Sequence, residues 1–284
     1  MRRARRLALA LALLAALTAR AQFSMAEQFE PLTIVNSLGD KMQARAWRHY
    51  GPNDLPVPVV VLLHGSGECG QDNGKQLDPF AGLYKIALVD RELPPALYLI
   101  PQCTQANGWV KKFAFEEDYR QPRYPSPALR TVKEYLDRLI KEGTADPDRL
   151  YIGGYSLGGF ATWDAIQRWP GYFAAAVPVC GGGSIQEEPA KNAAQTPVWA
   201  FHGAKDPMVP VVCTQRTVAA VTQAGGAPKY TEYPEANHNI WTRVFGDKAL
   251  VHWMFRQRRG KPPQEDGGRR KGFFGRLLRY VTPA

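Results

Sequence analysis

Three residues of the 284-residue chain have the types, order and settings for nucleophilic acyl chemistry: Ser156, Asp206 and His238. Ser156 stands in Gly153-Gly154-Tyr155-Ser156-Leu157-Gly158-Gly159, a G-x-S-x-G turn with glycines to spare. Asp148–Ile152 before it reads as a strand, and Phe160 to Trp169 after it reads as a helix. Strand, tight turn and helix is the setting that holds a serine hydroxyl clear of a sheet. Side chains at 154 and 158 would collide in so tight a turn, so glycine is needed there. A serine attacks a carbonyl only if a base takes its proton. His238 is the candidate base and Asp206 the candidate acid that orients its ring. Each follows a strand-like run: the apolar 197–201 before Asp206 and 229–233 before His238. His238 is expected to open the next helix.

A negative oxygen develops on the attacked carbonyl and needs N–H donors. The N–H of Leu157, at the helix start, is one candidate. The second is the N–H of Ser66 or Gly67, in the loop His64 to Gly74 that follows Val59-Val60-Val61-Leu62-Leu63. That run is continuously apolar and led by β-branched residues, as in a strand covered on both faces. His64, Glu68 and Asp72 read as loop hydrogen-bonding groups. Of the five histidines, His49 lies in an early strand and His252 in the last helix. His202 immediately follows a strand and reads as a supporting neighbour. His238 alone combines the loop position with the Ser, Asp, His order.

The elements that must position these residues alternate between strand and helix. Leu32–Val35 and Met42–Tyr50 form an antiparallel pair turned at Gly39-Asp40. Leu77–Val89 is helical in part, and 96–100 is a strand ended by Pro101. Ser126 caps a helix that opens with Pro127, runs to about Glu142 and stops at Gly143. Strands follow at 173–179, 197–201 and 229–233. The pattern predicts an α/β fold: a doubly covered, mostly parallel sheet in one domain. Residues 102–125 form a long excursion with Trp109, Phe113, Phe115, Tyr119 and Tyr124. These aromatics either wall a substrate cleft or anchor the loop. Trp109, Gly182 (in Cys180-Gly181-Gly182-Gly183) and Trp241 are the candidate cleft residues.

The ends differ from the body. Residues 1–21 carry arginines, then the apolar run Leu7–Leu17, then Ala19-Arg20-Ala21, the pattern of a cleaved signal peptide. The mature chain then starts at Gln22 and is periplasmic or secreted. Residues 22–255 form the catalytic domain, and 256–284 a basic linker with a short amphipathic tail. The formal charge of +10 belongs to these ends, because residues 22–255 are nearly neutral. The body therefore has no basic footprint for nucleic acid. Residues 272–281, with Phe273, Phe274, Leu277 and Leu278 beside arginines, suit either contact with an anionic membrane surface or docking on the body. Four cysteines in an exported chain allow two disulfides, expected as Cys69–Cys103 and Cys180–Cys213, or four reduced thiols. They contain no C-x-x-C unit, and no metal or cofactor is expected.

The whole set resembles a known family. His64-Gly65-Ser66-Gly67-Glu68, Pro101-Gln102-Cys103, the 153–159 turn, Cys180-Gly181-Gly182-Gly183, Phe201-His202-Gly203 with Asp206, and His238 with Trp241 together resemble an α/β-hydrolase. The group is that of exported esterases and "predicted peptidases" near polyhydroxybutyrate depolymerases and feruloyl esterases. The resemblance implies an α/β-hydrolase fold and a serine esterase acting on a small-molecule or polysaccharide ester through an acyl-enzyme. A peptidase or amidase on the same triad, or a binding protein that retains it, are the alternatives.

Overall fold

The computed structural model describes residues 25–110 and 120–262. The expected leader, the amphipathic tail and Phe113, Phe115 and Tyr119 lie outside the described residues. In chain order the elements are α1 (Met25–Gln28), β1 (Glu30–Val35), β2 (Lys41–His49), β3 (Val57–Leu63), α2 (Ala81–Val89) and β4 (Ala96–Gln102). Then come α3 (Pro127–Lys141), β5 (Ala145–Tyr155), α4 (Leu157–Arg168), β6 (Ala175–Val179), α5 (Glu187–Ala193) and β7 (Trp199–Gly203). The last are α6 (Val212–Gln223), β8 (Lys229–Tyr233), α7 (Trp241–Phe245) and α8 (Lys248–Arg256).

The strands make one eight-stranded sheet in the order β1-β2-β4-β3-β5-β6-β7-β8. β1 with β2, and β2 with β4, are antiparallel; every later pairing is parallel. A parallel sheet needs cover on both faces, and β3 shows the result. All seven of its residues are buried. Val59, Val61 and Leu63 face the core formed with α3, α4, α5 and α6. Val60 and Leu62 face the core formed with α2, α7 and α8. Successive strand side chains point to opposite faces, so an unbroken apolar run serves both layers.

Local signals explain the element ends. Ser126 Oγ accepts the Leu129 N–H at 3.1 Å and so caps α3 behind Pro127. Gly143, at φ 74°, stops that helix in a left-handed turn. β4 runs through Pro101 and does not end before it. Its parallel pairing with β3 covers 97–99, so the missing proline N–H falls beyond that ladder. β7 begins at Trp199, two residues later than the apolar run, and continues through His202 and Gly203. His202 therefore lies inside the strand.

One seam of the sheet is thin. β6 and β7 share the pair Val179↔Phe201 and the bridge Ala176↔Val198. By contrast, β7 pairs with β8 along its whole length, from Trp199↔Lys229 to Gly203↔Tyr233.

Candidate active site

Ser156 sits between β5 and α4 at φ 53°, ψ −119°, a conformation L-residues rarely adopt. Close packing imposes this strain. A Cβ on Gly158 would lie 2.0 Å from Leu63 O, and one on Gly154 would lie 2.6 Å from Gly158 O. The backbones of β3, β5 and α4 therefore meet with no side chain between them. Ser156 N–H donates to Val179 O at 2.8 Å, which fixes the turn against β6. Leu157 is the first residue of α4 and Ser66–Glu68 is a single 3-10 turn. The N–H groups of Leu157, Ser66 and Gly67 are thus first-turn donors with no partner in their own helix.

Asp206 lies in the turn after β7. Its side chain is fully shielded from solvent. Oδ1 accepts the N–H groups of Met208 at 2.8 Å and Val209 at 2.9 Å. His238 Nδ1 donates to Oδ2 at 2.6 Å. Burial alone raises the carboxyl pKa, but the Val209, His238 and Met208 donors outweigh it and hold the group below its usual range. Asp206 is thus an anion aimed at an imidazole N–H. The tautomer that donates from Nδ1 leaves Nε2 of His238 as a free base.

His238 does not open a helix. It lies in the loop between β8 and α7, which starts at Trp241. Its loop rests on the acid turn: Lys205 N–H donates to Ala236 O at 2.9 Å, and a Cβ on Gly203 would sit 2.2 Å from Asn237 O. The His238 carbonyl accepts the Ile240 N–H at 2.9 Å and the Cys180 thiol at 3.5 Å. Trp241 joins His238 to the Ser156 turn, its ring stacking on Tyr155 at 4.4 Å and meeting the edge of His238 at 5.7 Å.

The other expected groups divide. His64 is fully buried; its Nδ1 meets Gly65 O at 2.6 Å and its Nε2 accepts the Cys103 N–H at 3.1 Å. It ties the loop together, as expected. Trp109 is fully buried, so it does not wall a cleft. Its indole N–H donates to His64 O at 3.2 Å, which makes it an anchor under the same loop. Gly182 does not open space either: it is buried, and a Cβ there would lie 2.9 Å from Cys213 O. Asp247, an acid that follows His238 in the chain, caps α8 through the Ala249 N–H at 2.8 Å. One contact was not foreseen, and one expected neighbour finds its partner. Glu68 accepts the Tyr155 hydroxyl, joining the Ser66–Glu68 turn to the residue before Ser156. His202, expected as a supporting neighbour, brings Nε2 within 3.2 Å of the same Asp206 oxygen that His238 bonds.

No disulfide joins the four cysteines in this structure. Cys69 and Cys103 have sulfurs 3.5 Å apart. Cys180 and Cys213 are not paired as expected: Cys180 turns toward His238 O, while Cys213 packs with Phe160 and Val209.

Comparison with known proteins defines the class. Residues 51–249 match the sequence model of the phospholipase/carboxylesterase family, and the chain belongs to that family. A protein of Oryza sativa subsp. japonica named as a probable carboxylesterase is 25% identical over 191 residues, covering 64% of this chain and 81% of the relative. Poly(3-hydroxyalkanoate) depolymerase C of Paucimonas lemoignei is 27% identical over 154 residues, 53% of this chain and 34% of the relative. Among solved structures, a thermostable esterase is 31% identical at a TM-score of 0.70, covering 82% of this chain and 64% of its own. A feruloyl esterase module from Clostridium thermocellum, solved with sinapinate, shares the fold at 14% identity and a TM-score of 0.59. The chain thus spans a third of the depolymerase and less than two thirds of the thermostable esterase.

Proposed function

We propose that Ser156, His238 and Asp206 act together in the hydrolysis of carboxylic esters through an acyl-enzyme. The family and fold make the chain a carboxylic ester hydrolase. The observation that carries the triad is the 2.6 Å hydrogen bond from His238 Nδ1 to a solvent-shielded Asp206. That bond fixes which imidazole nitrogen is the base and gives its charged form a counter-ion. His238 Nε2 takes the Ser156 proton as Oγ attacks the ester carbonyl. The N–H of Leu157, with that of Ser66 or Gly67, holds the oxyanion. Each such donor is typically worth roughly 3 kcal/mol in the transition state. Imidazolium then protonates the leaving alcohol, and water repeats the sequence to free the acid.

The catalytic domain in this reading is residues 22–255, exported after cleavage before Gln22. The substrate is a small or polysaccharide-borne ester with a small or aromatic acyl group. Trp241, half-buried beside His238, supplies one wall of its site. In the exported protein Cys69 and Cys103 join as a disulfide, a reading supported by their facing sulfurs. The tail at 272–281 touches anionic membrane surface reversibly, and loss of liposome co-sedimentation on its deletion tests this.

A fluorophosphonate probe should label the wild type at Ser156 and leave S156A unlabelled. A panel of short aryl esters, acetylated sugars, feruloyl esters and amides should show esters cut much faster than amides. Full ester turnover by S156A would sink the triad.

A further inference from the structure

Asp206 carries two imidazoles. Its Oδ2 is 2.6 Å from His238 Nδ1 and 3.2 Å from His202 Nε2. His202 is fully buried near the end of β7, and its Nε2 is also 3.0 Å from Val209 O. Asp206 Oδ2 and Val209 O can only accept. For either contact to attract, Nε2 must carry the proton. Nδ1 is then without a proton and faces Thr214 Oγ at 2.7 Å on α6, whose one hydroxyl proton it shares with Gly181 O. Thr214 also reaches Gly181 O, so this chain of contacts joins the acid turn to the glycine loop after β6. Burial pushes the His202 pKa below its usual value, against the pull of Val209 O and Asp206, which keeps the ring neutral.

We infer that His202 is a positioning residue for the triad: it donates from Nε2 to the oxygen that holds His238 and so limits how strongly Asp206 draws a proton onto His238. The inference rests on the triad reading above. With His202 in place the carboxylate has three hydrogen-bond donors, the Met208 and Val209 N–H groups and His238 Nδ1, and faces, at 3.2 Å, His202 Nε2, whose proton also bonds Val209 O. Each added donor spreads the negative charge away from His238. Among the described residues, titratable or charged groups around the pair include the buried Cys180 thiol at the end of β6, the Cys213 thiol on α6, whose pKa burial pushes up, and the exposed Lys205–Glu235 ion pair on the outer loop. Burial first, then Asp206, raises the Cys180 pKa, so that thiol stays neutral. The balance at His238 is therefore set chiefly by Asp206 and His202.

The test compares His202→Leu with His202→Gln. Leucine removes the donor, so the imidazolium of His238 gains and the acid limb of the kcat/KM profile should move up by about half to one pH unit. Glutamine can place an amide N–H where Nε2 lies, and should return the limb to its wild-type position. A residue that only packs would lower the rate in both variants with the limb unmoved, and that result overturns the inference. Nitrogen NMR of the wild type gives a second readout that does not depend on how the leucine variant folds. His202 should stay neutral with its proton on Nε2 while His238 titrates. A proton on Nδ1 instead would also overturn it. Fluorophosphonate labelling of Ser156 in the same samples separates the two readings. An unlabelled wild type sinks the triad itself, whereas labelled, active H202L with an unmoved limb sinks only the role of His202.

Discussion

Gly158→Ala tests whether the nucleophile turn is held by backbone contact. The added Cβ would lie 2.0 Å from Leu63 O, 2.5 Å from Leu63 C and 2.8 Å from His64 O. None of these is a side chain that could swing aside. Ordinary contact begins at about 3.5 Å, so β3 and α4 must part by about 1.5 Å. Overpacking of this kind costs typically 1–3 kcal/mol, and a backbone clash belongs at about the upper end. In a domain of this size about 3 kcal/mol lowers the melting temperature by roughly 6–12 °C. Activity should suffer more. The movement separates Ser156 from the loop after β3 that offers Ser66 and Gly67, and a misplacement of about 1 Å can cost roughly a hundredfold in rate. Thermal unfolding and kcat/KM on an aryl ester measure the two effects. Gly51→Ala is the control, since its Cβ would meet nothing nearer than Asp54 Oδ2 at 3.5 Å. If G158A matches the wild type in both stability and turnover, the argument from backbone contact is wrong.

Two further outcomes are expected. Asp90 bonds His252 and Lys248 at 2.7 and 2.9 Å, and these two donors, His252 foremost, hold its carboxyl well below the usual range. A depressed carboxyl stabilises the fold above its unfolded pKa, and that contribution fades as acid titrates it. Asp90→Asn should therefore melt earlier than wild type at neutral pH, with the gap closing below about pH 4; a gap independent of pH would refute this. In protein recovered from the exported fraction, sequencing should start at Gln22 and non-reducing peptide mapping should join Cys69 to Cys103, leaving Cys180 and Cys213 free. An intact Met1, or four free thiols, would count against export or the disulfide respectively.

The strands and the Ser, Asp, His settings were legible because each carries a local signal. An unbroken β-branched run needs cover on both faces, and a glycine-flanked serine between strand and helix has few other uses. The readings that failed depended on distance through space. Trp109 reads in sequence as one more loop aromatic, and its burial under His64 follows from where the loop after β4 crosses the loop after β3. Gly182 reads as open space, yet the backbone at the start of α6 fills it. His202 does read in sequence as a supporting neighbour, but which group it meets depends on the Asp206 N–H reaching back to Gly203 O and turning the chain toward the strand it has just left. Composition and spacing carry no record of that turn. The Glu68–Tyr155 bond was hidden for the same reason, since its partners stand 87 positions apart.

The thin seam between β6 and β7 divides the candidate site. Ser156 belongs to the β5–β6 side, while Asp206 and His238 belong to the well-paired β7–β8 ribbon. Few ladder hydrogen bonds cross the divide; Cys180 N–H to Phe201 O and Ala176 N–H to Pro197 O are two of them. A protein opens first where its cooperative units meet through few bonds. On warming, the ribbon should swing or fray while the β2-β4-β3-β5 centre keeps its amides protected from exchange. Activity would then be lost reversibly, below the temperature at which the protein melts, with Ser156 in place and His238 withdrawn.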